Sequence, residues 1–204
     1  MPGLDCTDIL GLRNLVQQRL GILPIDQFLP QAQPDPEAHD YEITRENSRG
    51  NLWLPLVLTG RGLLYGEIIA QVPTQASTKN IGAEVLVSVS NLSKLYVQPL
   101  NIADALRQPI YQLGQNLLNW ICASPGVYLV QFSLSFETEI KPQVLFDRLI
   151  PFPDLPAIAS VGIQQPNLFE CHWRCLSGQP IHDLVIEPNR YFVLDPAGSV
   201  VPSC

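Results

Sequence analysis

Residues Asn101–Glu137, NIADALRQPIYQLGQNLLNWICASPGVYLVQFSLSFE, decide the fold. Ile102, Leu106, Ile110, Leu113, Leu117 and Ile121 recur every three or four residues. That spacing draws one apolar stripe down a helix. Asn101 is placed to cap it, because its side chain can accept from a free N–H of the first turn. Pro109 lacks a donor and crowds the preceding turn, which predicts a kink or two abutting helices. Ser124-Pro125-Gly126 then marks a turn. Beyond it, Phe132, Leu134 and Phe136 alternate with Gln131, Ser133, Ser135 and Glu137. Period two means a strand with one apolar and one polar face. The helix stripe is expected to lie on the apolar face of that strand's sheet.

The outer face of this helix carries Gln108, Gln112, Gln115, Asn116 and Asn119, with Asp104 and Arg107 as its only charges. Interface cores are depleted in charge. These five amides are therefore the candidate partner-binding residues.

Toward the N-terminus, residues 7–20 predict a first helix. Thr7 or Asp8 is its cap, Ile9, Leu12, Val16 and Leu20 form its inner face, and Gly21 is its stop. Residues 30–51 hold Pro30, Pro34 and Pro36 among acidic side chains, which predicts a mobile surface loop. Leu52–Thr59 and Leu63–Val72 predict two strands joined at Gly60-Arg61-Gly62, with Pro55 forcing an edge position or a bulge on the first. A loop is expected over 73–82, a third strand over Val85–Val89 and a short fourth over Leu95–Gln98.

Toward the C-terminus, strands are expected over 144–150, 157–164, 168–176, 183–187, 191–194 and 199–201. Turns are expected at Pro188-Asn189 and at Asp195-Pro196-Ala197-Gly198. Strands thus come in runs and do not alternate with helices. That order predicts one α+β domain over 1–204, a largely antiparallel sheet or sheets packed against a long central helix, with an N-terminal helix.

Composition narrows the function. The 204 residues carry a net charge of −7, with 12 basic side chains and no basic run. This argues against nucleic acid and against an anionic membrane surface. No apolar run reaches the roughly 20 residues of a membrane span. The opening Met-Pro-Gly-Leu-Asp-Cys has no basic or apolar signal region, so a cytoplasmic location is expected. Five scattered cysteines read as reduced, buried thiols and not as a disulfide framework.

Cys171-His172-Trp173-Arg174-Cys175 is the densest chemical cluster. As a strand, it would put Phe169, Cys171, Trp173 and Cys175 on one face and Glu170, His172 and Arg174 on the other. The two thiols would then stand ~13 Å apart, too far to share a metal. As a helix, the two cysteines would be neighbours and a metal site would survive. The other histidines, His39 and His182, have no partner pattern that marks a catalytic base, and no nucleophile elbow or phosphate loop is present.

These observations predict neither a metal nor a cofactor. They favour a non-catalytic, cytoplasmic protein–protein interaction or assembly module with a protein partner or self-association. A small-molecule-binding sensor, its pocket lined by Trp53, Tyr65, Trp120 and Trp173, is the alternative. A Cys/His-dependent enzyme using Cys171, His172 or Cys175 is the second.

Overall fold

The computed structural model describes residues 5–27, 52–71, 96–100, 102, 104–135, 143–187, 192–194 and 200–202. The expected loop at 30–51, the loop at 73–82, the strand at Val85–Val89, the cap at Asn101 and the turns at 188–189 and 195–198 lie outside these residues.

The chain opens with helix α1 (Ile9–Leu20). Asp8 caps it through a 2.8 Å bond accepted from the Gly11 amide, and Gly21 ends it in the left-handed region at φ 67°. β1 (Leu23–Pro24) follows, then β2 (Leu52–Thr59), β3 (Gly62–Tyr65), β4 (Ile69–Gln71) and β5 (Tyr96–Val97). Helix α2 (Asp104–Trp120) leads into β6 (Gly126–Ser135) and β7 (Gln143–Ile150). A 3-10 turn (Leu155–Ser160), β8 (Gln164–Gln165), helix α3 (Leu168–Leu176), β9 (Val185–Ile186), β10 (Phe192–Leu194) and β11 (Val200–Pro202) follow.

Seven strands form one sheet in the order β1-β7-β6-β2-β4-β5, with β3 beside β2. β1 runs parallel to β7 and every other pairing is antiparallel. Pro55 does not make β2 an edge strand, as the sequence suggested. β2 lies inside the sheet, and its outer partner changes at the proline. Leu56–Thr59 pair with β3 and Leu52–Trp53 pair with β4. Pro55 has no N–H to give, but its carbonyl accepts from Gly66 at 2.8 Å, where the chain leaves β3.

Two cores sandwich this sheet. On the first face, Leu54, Leu56, Tyr128, Val130, Phe132 and Phe146 meet Leu12 and Val16 of α1 and Ile110, Leu113 and Leu117 of α2. Gly114 lets α2 approach closely, since a Cβ there would lie 2.8 Å from Leu56 Cδ1. On the second face, Val57, Ile69, Val127 and Leu129 meet Ala157 and Ala159 of the 3-10 turn and Leu168, Cys171 and Cys175 of α3.

The sheet, then, is the centre, and the expected long central helix is one of three helices that flank it among the described residues. α2 begins at Asp104 and is one continuous element through Pro109. Two expected strands are also corrected. Residues 157–164 form most of the 3-10 turn and lead into β8, because Asp154 caps the turn and Pro156 suits its start. Residues 168–176 are the helix α3. Asn167 accepts from the Glu170 amide at 3.0 Å, and Leu168, Cys171 and Cys175 repeat at helical spacing.

A buried ion pair fastens α1 to the sheet. Arg13 binds the Asp147 carboxylate, donates to the Asp147 carbonyl at 2.8 Å and reaches Asp26 at 3.0 Å. Asp147 is 5% exposed and sits where the β6–β7 register shifts. No described helix is long and apolar enough to cross a membrane.

Arg13→Met should lower stability by about 3 kcal/mol, because it leaves the Asp147 charge buried with one fewer partner. Urea unfolding should show a lower midpoint at an unchanged slope.

Candidate functional site

The five amides predicted to bind a partner sit on the outer side of α2. Gln108, Gln112, Gln115 and Asn119 are exposed and Asn116 is half-buried. Two adjoining grooves run between this helix and the β2–β3 hairpin. One, of about 380 Å³, is lined by Leu58, Leu63, Gln115, Leu118, Asn119 and Cys122, with Ala123. The other, of about 420 Å³, is lined by Tyr65, Gln108, Pro109, Tyr111, Gln112 and Gln115. The rings of Tyr65 and Tyr111 lie 4.5 Å apart, tilted by 30°. Asn116 lines neither groove.

The four aromatics expected to share a pocket do not converge. Trp53 lies in the second-face core, Tyr65 and Trp120 pack on the first face, and Trp173 is 67% exposed on α3.

The Cys171–Cys175 cluster is helical, which brings its two thiols onto one face of α3 and buries both. Burial, reinforced by Cys175 and Glu170, pushes the Cys171 thiol up to about 12. Burial raises Cys175 as well. Both are therefore protonated at neutral pH and poor as nucleophiles or ligands. His172 points elsewhere and accepts from the Val127 amide at 3.1 Å, fastening α3 to the start of β6. Among the described residues no group of three or more His, Cys, Asp or Glu is arranged to hold a metal. His182 lies beside Arg61 at 3.5 Å, and His39 is outside the described residues.

The second sheet face offers a different arrangement. Its lower half is the apolar core under α3. Its other half is polar, and the register sets the rows. Trp53 is opposite Gln131, and Gln131 is opposite Arg148. Ser133 follows on the same face, one pleat along. On the other side, Tyr96 meets Trp53 edge-on at 5.6 Å, and Gln98 lies two residues beyond Tyr96.

Gln98 is 1% exposed. Its Nε2 donates to the Glu67 carbonyl at 3.0 Å and to Gln164 Oε1 at 3.2 Å, which fixes the amide's orientation. Its Oε1 and the Trp53 Nε1 are the two buried side-chain polar atoms with no hydrogen-bond partner among the described residues. One accepts and the other donates. A buried polar atom left unpaired costs about 1–3 kcal/mol, so each of these two atoms is short of a polar partner. Arg148 supplies a cation to this row, its Nε 3.3 Å from Asp147 Oδ2. The sequence marked Gln131 and Ser133 as the polar side of a strand but gave no reason to join them to Trp53 and Gln98.

No family model and no curated protein matches the sequence. Solved structures do match. Glycinamide-RNase-transformylase T from Mycobacterium tuberculosis superposes with a TM-score of 0.56 at 16% identity, over 86% of this chain and 50% of that one. An N5-carboxyaminoimidazole ribonucleotide synthetase solved as its ADP complex superposes with a TM-score of 0.50 at 13% identity, over 68% of this chain and 32% of that one. The chain thus spans about a third to a half of the length of these proteins. At such identities the likeness is one of fold. It corrects the expected interaction or assembly module and the protein–protein interaction role, because this fold is shared with enzyme chains, one of them crystallised with a nucleotide.

Two outcomes follow from the α3 geometry. Iodoacetamide at about pH 7.5 should label the exposed Cys122 of the folded protein and spare Cys171 and Cys175 until urea unfolds it, read by peptide mass mapping. His172 must be neutral to accept from Val127, and burial lowers its pKa below the ordinary 6.5. Its contribution is therefore complete above that value and is lost as pH falls through the lower folded one. The urea midpoint of the wild type should fall toward that of His172→Gln as pH drops from about 7.5 to 5.

Proposed function

We propose that this chain is the nucleotide-binding portion of an enzyme and holds an adenine nucleotide against the polar half of its second sheet face. One observation carries the reading: the fold likeness to a synthetase chain solved with ADP, supported by the broader superposition on the transformylase. The neighbours are of the ATP-grasp-like kind.

The residues on that face suit such a ligand. Trp53 Nε1 supplies a donor and Gln98 Oε1 an acceptor, the pair that a nucleobase edge needs. Trp53 and Tyr96 supply aromatic surface beside them. Arg148 supplies a guanidinium for phosphate, with its planar fork suited to two oxygens. Ser133 adds a hydroxyl on the same face. The chain's net charge of −7 opposes an anionic ligand at long range, so binding should rest on these local groups.

Isothermal titration with ADP and with ATP tests the proposal. Binding is expected, and Arg148→Ala should weaken it about tenfold, the loss of roughly one charge-assisted hydrogen bond. Gln98→Leu should weaken it as well. No heat and no thermal shift at about 1 mM nucleotide would sink the reading, because binding of any useful strength must raise the melting temperature.

A further inference from the structure

A buried glutamine amide can lie either way round, and the choice decides whether it offers a donor or an acceptor. The orientation of Gln98 is fixed by a chain of bonds that has a backbone carbonyl at each end. Gln164 Nε2 donates to the Pro166 carbonyl at 2.8 Å, and its Oε1 is turned to Gln98. Gln98 Nε2 donates to that Oε1 at 3.2 Å and to the Glu67 carbonyl at 3.0 Å. A backbone carbonyl can only accept. Turning either amide over would set oxygen against oxygen in a place without water, since both side chains are buried. Gln98 Oε1 is therefore held as an acceptor, and it has no hydrogen-bond partner among the described residues.

The sheet sets a donor in the same row. Ala70 pairs with Val97, and one step further along that ladder Ile69 stands beside Gln98. Ile69 pairs with Trp53. Gln98 and Trp53 thus flank Ile69, two strand spacings or about 10 Å apart at the backbone. Residues opposite one another in a ladder share a face. An indole N–H can only donate, and Trp53 Nε1 also has no partner among the described residues. The donor and the acceptor cannot exchange roles.

We infer, on the premise that a nucleotide binds this face, that Gln98 selects its base, accepting from the 6-amino group of adenine and rejecting a 6-oxo purine, with Gln164 as the positioning residue that sets the preference. The 6-amino group brings a hydrogen to Gln98 Oε1, while N1 beside it accepts from Trp53 Nε1. A 6-oxo purine carries the reverse order, an oxygen at position 6 and a hydrogen on N1. Two acceptors then face each other, and so do two donors. Such a base would have to turn over to fit, which displaces its ribose and phosphates. A site whose buried polar groups are left unpaired by the wrong ligand rejects it strongly.

Isothermal titration of the full chain with ADP and with IDP tests this. ADP should bind at least ~10-fold more tightly than IDP, with purine riboside diphosphate, which has only hydrogen at position 6, between them. Gln98→Leu should bring the ADP and IDP affinities together. Gln164→Leu should narrow their ratio about fivefold, the worth of roughly one hydrogen bond, because the Glu67 carbonyl alone no longer locks the amide. A merely structural role for Gln164 would weaken both nucleotides alike and leave the ratio where it was. Circular dichroism checks that each variant is folded, and the order of the three nucleotides on the wild type needs no variant. If neither ADP nor IDP binds, the nucleotide reading fails and this inference with it. If ADP binds but IDP binds equally well, or the ratio survives Gln98→Leu, or Gln164→Leu leaves it unchanged, the inference is overturned while the nucleotide reading stands.

Discussion

β6 is buried on both of its faces, and the rest of the molecule answers to that constraint. A strand with apolar side chains on both sides must be covered twice. α1 and α2 close one face, while the 3-10 turn and α3 close the other. The register of β2 and β7 on its two edges then decides which residues meet. Arg13 and Asp147 hold the first layer in place where the β6–β7 ladder shifts, and His172 holds the second at the start of β6. Both contacts put a polar side chain of a covering helix onto the backbone of the sheet, so the layers are fixed in position as well as pressed together.

The same constraint explains why the second face divides into two chemistries. α3 is nine residues long and cannot shield a strand of ten. Under the helix the face is Val127 and Leu129. Beyond it the face is Gln131 and Ser133, with Arg148 and Trp53 on neighbouring strands and Gln98 just past the end of β5. A polar half-face beside an apolar one gives the proposed nucleotide a surface without loosening the core.

The helix α2, the strand β6 and the first helix with its Gly21 stop were legible because each obeys one period over many residues. The region after β7 was misread for an identifiable reason. In 168–176, alternate residues sort into apolar and polar sets, yet Leu168, Cys171 and Cys175 also fit a helix. The run is short enough to satisfy both periods. Asn167 with Glu170 three residues later is the local signal for the helix. Reading a strand there separated the two cysteines, whereas the helix brings them together and buries them out of reach of chemistry.

By itself the sequence determined the α+β class, the antiparallel tendency, the acidic character, the inner faces of α1 and α2 and one of the two buried faces of β6, because these depend on composition and local period; the expected polar face of β6 is buried too. Only the tertiary structure decided that the sheet is central and that α3 is a helix. It alone joined Trp53, Gln98, Gln131 and Arg148, residues from three strands and the bend after β5 that span 95 positions of chain. Hydrogen-bonded register makes neighbours of residues that no spacing rule connects. The fold likeness belongs to the same category, since a backbone arrangement persists at 16% identity where sequence comparison finds no match.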